Sequence, residues 1–335
     1  MGRFELATEL SRPRRLTYRR KLEKMFISDE LAQDYLARAV LLTFPAVGIA
    51  IGIWGVFWEI LLLFAVFLLG CRKGVFSAAL FLAGGYIAAL IVFGVMALNY
   101  FSFVPFAGLL GVFGWQKDWP ARVTFFWSAA LAAVLGAAPA LVFVVQGFDD
   151  NTASVMISAT IQQYQTWGLL EMMQQQGISE VQIRDLLKQG IEIYAIVIPS
   201  IAAIVAIAKF GFVFYFMRRW FKGKRKWIPF THWRLPWYAV WGAVLGIACY
   251  LLGDQFSWSI IRGIGINFMV VYGAVTLVLG ISAYLYLLQS PKIPRFLKWA
   301  LILVNFIYFM FSIVGIIMFG LFDLVINFRR LPEES

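Results

Sequence analysis

Residues 36 to 70 form a predominantly apolar run 35 positions long, and comparable runs recur along nearly the whole chain. A helix rises about 1.5 Å per residue and a bilayer's hydrocarbon core is about 30 Å thick, so about 20 such residues make one crossing. The run is too long for one span and suits two short ones. They would turn near Gly52 to Trp54, with Pro45, Gly48, Gly52 and Gly55 available to break the helix. Composition agrees: 61% of the residues are hydrophobic and 14% charged, with mean hydropathy +0.79. Soluble domains carry about a quarter charged residues. Backbone groups in lipid must bond to one another, so the predicted fold class is an all-α polytopic transmembrane helical bundle.

The predicted map has about nine spans, within eight to ten. Residues 1–35 hold eight Lys or Arg against six acids, and Tyr18, Leu22, Met25 and Phe26 share one helical face. This reads as a cytoplasmic, basic, surface-lying N-terminal segment. A first transmembrane half follows over 36–146: the pair in 36–70, a basic inner turn "CRKG" at 71–74, a pair in 75–114 divided near "NYFSFVP", and a fifth span at about 123–146. Residues 147–190 are polar, with Asp149, Asp150, Glu171, Glu180 and Asp185 against Arg184 and Lys188. Cytoplasmic loops collect Lys and Arg, so this stretch is expected outside. Asp150 or Asn151 caps a predicted helix through about Gln176, and the S-x-x-Q pattern of Ser179 to Gln182 starts a second one ending near Gly190. The result is an extracytoplasmic helical hairpin. A second half over 191–328 holds spans at about 191–217, 236–253 and 257–288, and a last apolar run at 296–327 that is one tilted helix or two short ones. Residues 329–335 are a polar tail.

"MRRWFKGKRK", 217–226, has six Lys or Arg and no acid, and runs into the Trp-rich "WIPFTHWRLPW". Basic residues among aromatics can hold phosphates and stack bases, but between two spans they are an inner anchor and an interfacial belt. No nucleic-acid partner is expected. The predicted partners are the lipid bilayer and anionic lipid head groups at this loop. The location is the cytoplasmic (inner) membrane, multi-pass, with the N-terminus cytoplasmic. No basic n-region, apolar h-region and small-residue cleavage site open the chain, so no cleaved signal peptide is expected.

The "PFTHWRLPW" loop, Asn267 near the start of the following long span and a terminal "GLFDLVINFRR" together resemble the YybS-like predicted membrane proteins of bacteria, domain of unknown function family 2232. The "KG" inner turn after a short second span is similar too, so the resemblance covers roughly residues 36 to 330. It implies a membrane bundle and no assigned chemistry. The layout is also remotely similar to substrate-binding subunits of energy-coupling-factor vitamin transporters, an analogy of fold alone.

Enzyme chemistry has little to stand on. His232 is the only histidine and has no acid within twenty residues in sequence; Cys71 and Cys249 belong to no metal-spaced set; no G-x-x-x-x-G-K-[ST] occurs. No cofactor or metal is predicted. Charges within spans are costly, about 2.5 to 3.5 kcal/mol at the bilayer centre on insertion scales, so Glu59, Lys209 and Arg262 are singled out. Lys209 can snorkel inward. Glu59 and Arg262 lie at matching depths and are expected to pair, as a structural ion pair or as part of a ligand site. Under a solute-binding reading the candidate ligand residues are Glu59, Arg262, Asn267, Tyr164 and Trp167, with Tyr164, Trp167 and Met172 roofing a cavity. Small-residue spacings occur at Ala46 and Ala50, at Gly48 and Gly52, and at Ala129, Ala133 and Ala137, where helices approach closely. In the vitamin-transporter analogy an Ala-x-x-x-Ala face meets the energising subunit, a part open to Ala46 and Ala50; packing within the bundle is the plain alternative. Two function classes remain: a small-solute binding or transport subunit, and a non-catalytic membrane scaffold that recruits a protein partner.

Overall fold

A computed structural model describes residues 12–51, 56–147, 150–221, 229–291 and 293–331. Every regular element among them is helical. The chain divides into two compact units, Met1–Phe101 and Ser102–Ser335.

The first unit holds α1 (Arg12–Ile51), α2 (Val56–Lys73), α3 (Val75–Phe93) and a 3-10 segment, Val95–Tyr100. α1 and α2 run antiparallel. At one end Trp58 Nε1 donates to the Phe44 carbonyl at 2.8 Å and the two rings stack 4.4 Å apart. At the other, Arg72 Nη1 meets the buried Asp34 carboxylate at 3.2 Å, Arg72 Nη2 reaches Gln33 Oε1 at 2.7 Å, and Lys73 stands 3.4 Å from Asp34. The basic turn read from "CRKG" is thus matched by an acid of α1. Gly85 of α3 lets the Leu41 carbonyl and Pro45 of α1 come so close that a Cβ would strike the carbonyl. The boundary expected at residue 35 falls inside a continuous helix, because nothing between Ile27 and Leu41 breaks one. The expected turn at Gly52 to Trp54 lies outside the described residues, between the end of α1 and the start of α2.

The second unit contains α4 (Pro105–Gln116), α5 (Ala121–Gly147), α6 (Asp150–Thr166), α7 (Leu169–Gln175), α8 (Glu180–Trp220), α9 (Val240–Gln255), α10 (Ser259–Gln289), α11 (Arg295–Ile307) and α12 (Phe309–Ile326). α5 lies antiparallel to α8, with Gly136 against Ala206 and the Ala202 carbonyl at one level, and Phe125 against Phe210 and Phe214 at another. α9 and α10 form a second antiparallel pair, seamed by Gly242 on Tyr272, Gly246 on Phe268, Gly253 on Arg262 and Gly265 on Tyr250. Small residues at these positions let the backbones touch, which replaces the hydrophobic drive that lipid removes.

Several expectations change here. The second member of the 75–114 pair is only the 12-residue α4, entered through Pro105 at its first position. The helix expected from Asp150 to Gln176 divides into α6 and α7 because Gly168 adopts a left-handed conformation, φ 70°. The capping box at Ser179 is present: Gln182 N–H donates to Ser179 Oγ at 3.3 Å and Ser179 N–H to Gln182 Oε1 at 2.9 Å. The helix it starts does not stop at Gly190, however, but continues for 41 residues into the span that follows. The last apolar run is two helices, interrupted at Tyr308. Among the described residues five helices are long and apolar enough to cross a membrane: Val75–Phe93, Ala121–Val142, Glu180–Trp220, Trp237–Gln255 and Ser259–Gln289; Phe311–Ile326 is shorter. The remaining members of the nine-span map are the apolar second half of α1, the 18-residue α2 with its three charged residues, the short α4, and the last run, divided between α11 and α12.

Candidate functional site

The densest buried polar cluster described lies where the Trp-rich loop, α10 and the C-terminal motif meet. α12 ends at Asn327, which takes the left-handed conformation that Asn tolerates (φ 53°) and turns the chain back. Arg329 then points inward, with its side chain 3% exposed. Its Nε and Nη2 donate to Asp323 Oδ2 at 3.0 and 2.6 Å, Nη1 donates to the Thr231 carbonyl at 2.6 Å and to Ser282 Oγ at 2.9 Å, and Nη2 also reaches the Trp233 carbonyl at 2.8 Å. All five guanidinium donors are engaged. Ser282 Oγ in turn donates to the Phe230 carbonyl at 2.6 Å, and Arg234 Nη2 to the Leu324 carbonyl at 3.2 Å, one of the carbonyls a helix end leaves open. Beneath this tie Leu235, Ala239, Leu279 and Leu324 form an apolar core with Phe125 and Trp233 around it. The "PFTHWRLPW" and "GLFDLVINFRR" stretches are therefore two halves of one joint. His232 sits at its edge, with Nδ1 3.1 Å from Thr231 Oγ1 and its ring edge-on to Tyr286.

A second joint involves Asn267. Pro199 lies inside α8 and removes a backbone donor there. One residue on, the Asn267 amide from α10 inserts into the ladder: Ser200 N–H donates to Asn267 Oδ1 at 2.8 Å, and Nδ2 donates to the Ile196 carbonyl at 2.7 Å and to Gly263 at 2.8 Å. Ile196 and Ser200 are the two residues whose groups a regular helix would bond to each other. Asn267 splices them.

The remaining sequence candidates fall apart from these joints. Glu59 is buried in the first turn of α2, where the helix dipole favours an acid, and its charge acts on the Tyr86 phenol. It belongs to the first unit and Arg262 to the second. Arg262 lies 3.5 Å from Asp254 across the α9–α10 turn, half exposed and over the Tyr250 ring, a partner the sequence reading passed over. Tyr164 is half-buried, whereas Trp167 and Met172 are 61% and 57% exposed; Ile161, Leu170 and Ile183 are buried instead. Of the three expected roof residues, Trp167 and Met172 face outward, Met172 lying beyond the left-handed Gly168. Ala46 is half-buried and Ala50 exposed, while α1 packs through Leu41, Pro45 and Gly48. Lys209 is half-buried on α8, and the basic run at 222–226 lies outside the described residues.

As chemistry, a neutral ion pair with saturated donors offers one open acceptor, Asp323 Oδ1, buried without a protein partner. No group of three His, Cys, Asp or Glu side chains able to hold a metal occurs among the described residues. The signal that sequence reading missed was Asp323, the one acid in the last apolar run, which marks an intramembrane partner for a nearby Arg.

Residues 39–324 match the family described as predicted membrane protein (DUF2232). The chain belongs to this family. The match takes in the Trp-rich loop and Asn267 and ends at Leu324, inside the terminal motif and short of Arg329. Neither a curated protein nor a solved structure matches the chain. DUF2232 membership makes the protein an integral membrane protein of a family without assigned chemistry, and its apolar helices sit in a lipid bilayer.

Proposed function

We propose that this protein is a non-enzymatic small-solute binding or transport subunit of the cytoplasmic membrane, with its N-terminus and the basic loop cytoplasmic and the 150–190 crown outside. The observation that supports this reading is the splice at Pro199. The 41-residue α8 extends about 60 Å, twice the hydrocarbon thickness, and carries its one internal proline between the crown and the bundle. A helix whose backbone bonding is locally replaced there by a side chain from a neighbour has a hinge point beneath an extramembrane cap, and solute carriers place weakened or broken helix segments where a gate must move. Asn267 is the polar group from a neighbouring helix at that hinge, and the exposed Ala50 offers a small-residue face to an energising partner.

Hydrogen exchange on the purified protein, with and without a pool of small water-soluble metabolites, tests the proposal. Ligand-dependent slowing across 155–175 and 196–203 is the expected result. Slow exchange there that no metabolite alters would overturn it in favour of a membrane scaffold. That second reading draws support from the outward-facing Trp167 and Met172, which suit a protein partner, and from the internal use of every donor of Arg329.

A further inference from the structure

We infer that α11 and α12 form a re-entrant hairpin whose mouth, at Arg295 and Lys298, is a site for anionic phospholipid head groups on the same membrane face as the Trp-rich loop. This rests on membership of a membrane family and not on solute handling.

The chain leaves α10 at Gln289, enters α11 five residues later at Pro294, and by Arg329 is hydrogen-bonded to Ser282 and Thr231. Ser282 is seven residues, about 10 Å, from the end of α10. The 295–326 segment therefore starts and finishes at one end of α10, so it enters the membrane and returns. α11 has 13 residues, about 20 Å, too short for a crossing, and Tyr308 breaks it before α12 begins. Close contact of Gly280 with Ile316, and of Gly320 with Thr276, seats α12 on α10.

α11 itself has no buried residue. Its Asn305 faces the bundle, donating from Nδ2 to Tyr284 Oη at 3.0 Å, while Phe296, Trp299 and Phe306 are 83%, 71% and 80% exposed. A helix that turns its polar side to the protein and large apolar groups outward is surrounded by acyl chains. At its entry stand Arg295 and Lys298, followed by Trp299, and no acid occurs between Gln289 and Asp323. The first-turn N–H groups have no side-chain cap, so the positive end of the helix dipole adds to these cations. Cations, free N–H groups and an interfacial Trp at one depth fit a phosphodiester held at the head-group level with its chains along Phe296 and Trp299.

Two measurements on the full chain in nanodiscs test this. Nitroxide labels at 296, 299, 303 and 306, then 311, 314, 318 and 322, should give immersion depths that rise along α11 and fall back along α12, with a label at 330 on the same face as one at 232. Depth rising steadily through both helices, or labels 330 and 232 on opposite faces, would overturn the hairpin. In discs of phosphatidylcholine with phosphatidylglycerol, native mass spectrometry should show retained phosphatidylglycerol weakened by about fivefold for each of Arg295→Gln and Lys298→Gln. Arg184→Gln, on the crown, should leave retention unchanged. Equal retention by all three variants would overturn the head-group site; a variant that fails to fold is recognised by its melting temperature and replaced by Arg295→Lys, which keeps the charge and must keep the lipid.

Discussion

Arg329 and Asp323 form the most deeply buried ion pair among the described residues. Removing one partner of a buried, hydrogen-bonded ion pair costs about 3–5 kcal/mol, because the other charge is left uncompensated. Arg329→Gln should therefore lower thermal stability in detergent sharply, Asp323→Asn likewise, and the double variant should cost little more than either alone. Additive losses would show that the two residues do not act as a pair. Glycine contacts give a second residue-level expectation: Gly320→Ala pushes a Cβ into the Thr276 carbonyl and should destabilise, whereas Gly263→Ala meets open space and should not. Melting curves of the two alanine variants decide it, and equal curves would refute the seam. At this scale the sequence shows residue types but not partners. The intramembrane rule picks out Glu59, Lys209 and Arg262, yet Arg262 meets Asp254 at the end of the preceding helix, and Arg329 read as part of a tail. No periodicity links 231, 282 and 329; only the fold brings them together.

Helix starts were easier to read than helix ends. The Ser179 capping box is a local pattern of four residues and appears as expected, but Gly190 does not terminate the helix, since a glycine stops one only where the chain must turn left-handed. Gly168 does so, at φ 70°, and neither glycine's neighbours announce the difference. The ends of α4 and α9 are made by Asp118 and Ser257 in that same conformation, φ 53° and 55°, with Trp119 N–H bonded to the Gly114 carbonyl and Trp258 N–H to the Gly253 carbonyl. A β-carbon is disfavoured there, so Ser257→Gly should stabilise the α9–α10 hairpin by about 1 kcal/mol, read as a higher melting temperature; a decrease would show that the serine side chain has a role of its own. Asn267 was legible as a polar residue early in a long span, but its splice of Ile196 to Ser200 was not, because Pro199 lies 68 positions away in sequence. Asn267→Leu should speed hydrogen exchange at 200–203 while leaving the 121–147 helix unchanged.

Within the second unit the charges separate by end. The turn before α5, the last turn of α8, the Trp-rich loop and the entry of α11 carry Lys117, Arg122, Arg218, Arg219, Arg234, Arg295 and Lys298 against Asp118, while the opposite end carries Asp150, Glu171, Glu180, Asp185, Glu192 and Asp254 against Arg184, Lys188 and Arg262. Phe125 against Phe214 places the start of α5 beside the end of α8, and Asn267 against Ile196 sets the start of α10 level with the upper part of α8, so these groupings are spatial and not only sequential. Hydropathy and charge counting alone had already separated these ends; span number was harder, because short helices such as α4 and α11 are as apolar as full crossings and differ from them only in length. Since Lys and Arg resist translocation, the basic end should face the cytoplasm. With Cys71 and Cys249 replaced by serine, a cysteine at Ser179 or at Ser257 should react with an impermeant maleimide added to intact cells, and one at the exposed His232 should react only after permeabilisation. Ser257 discriminates further than Ser179, because it lies at the tip of the α9–α10 hairpin and follows Ser179 only if that hairpin crosses the membrane fully. Labelling at 232 but not at 179 would invert the orientation, and labelling at 179 but not at 257 would leave the hairpin short of the far surface and remove a crossing from the bundle.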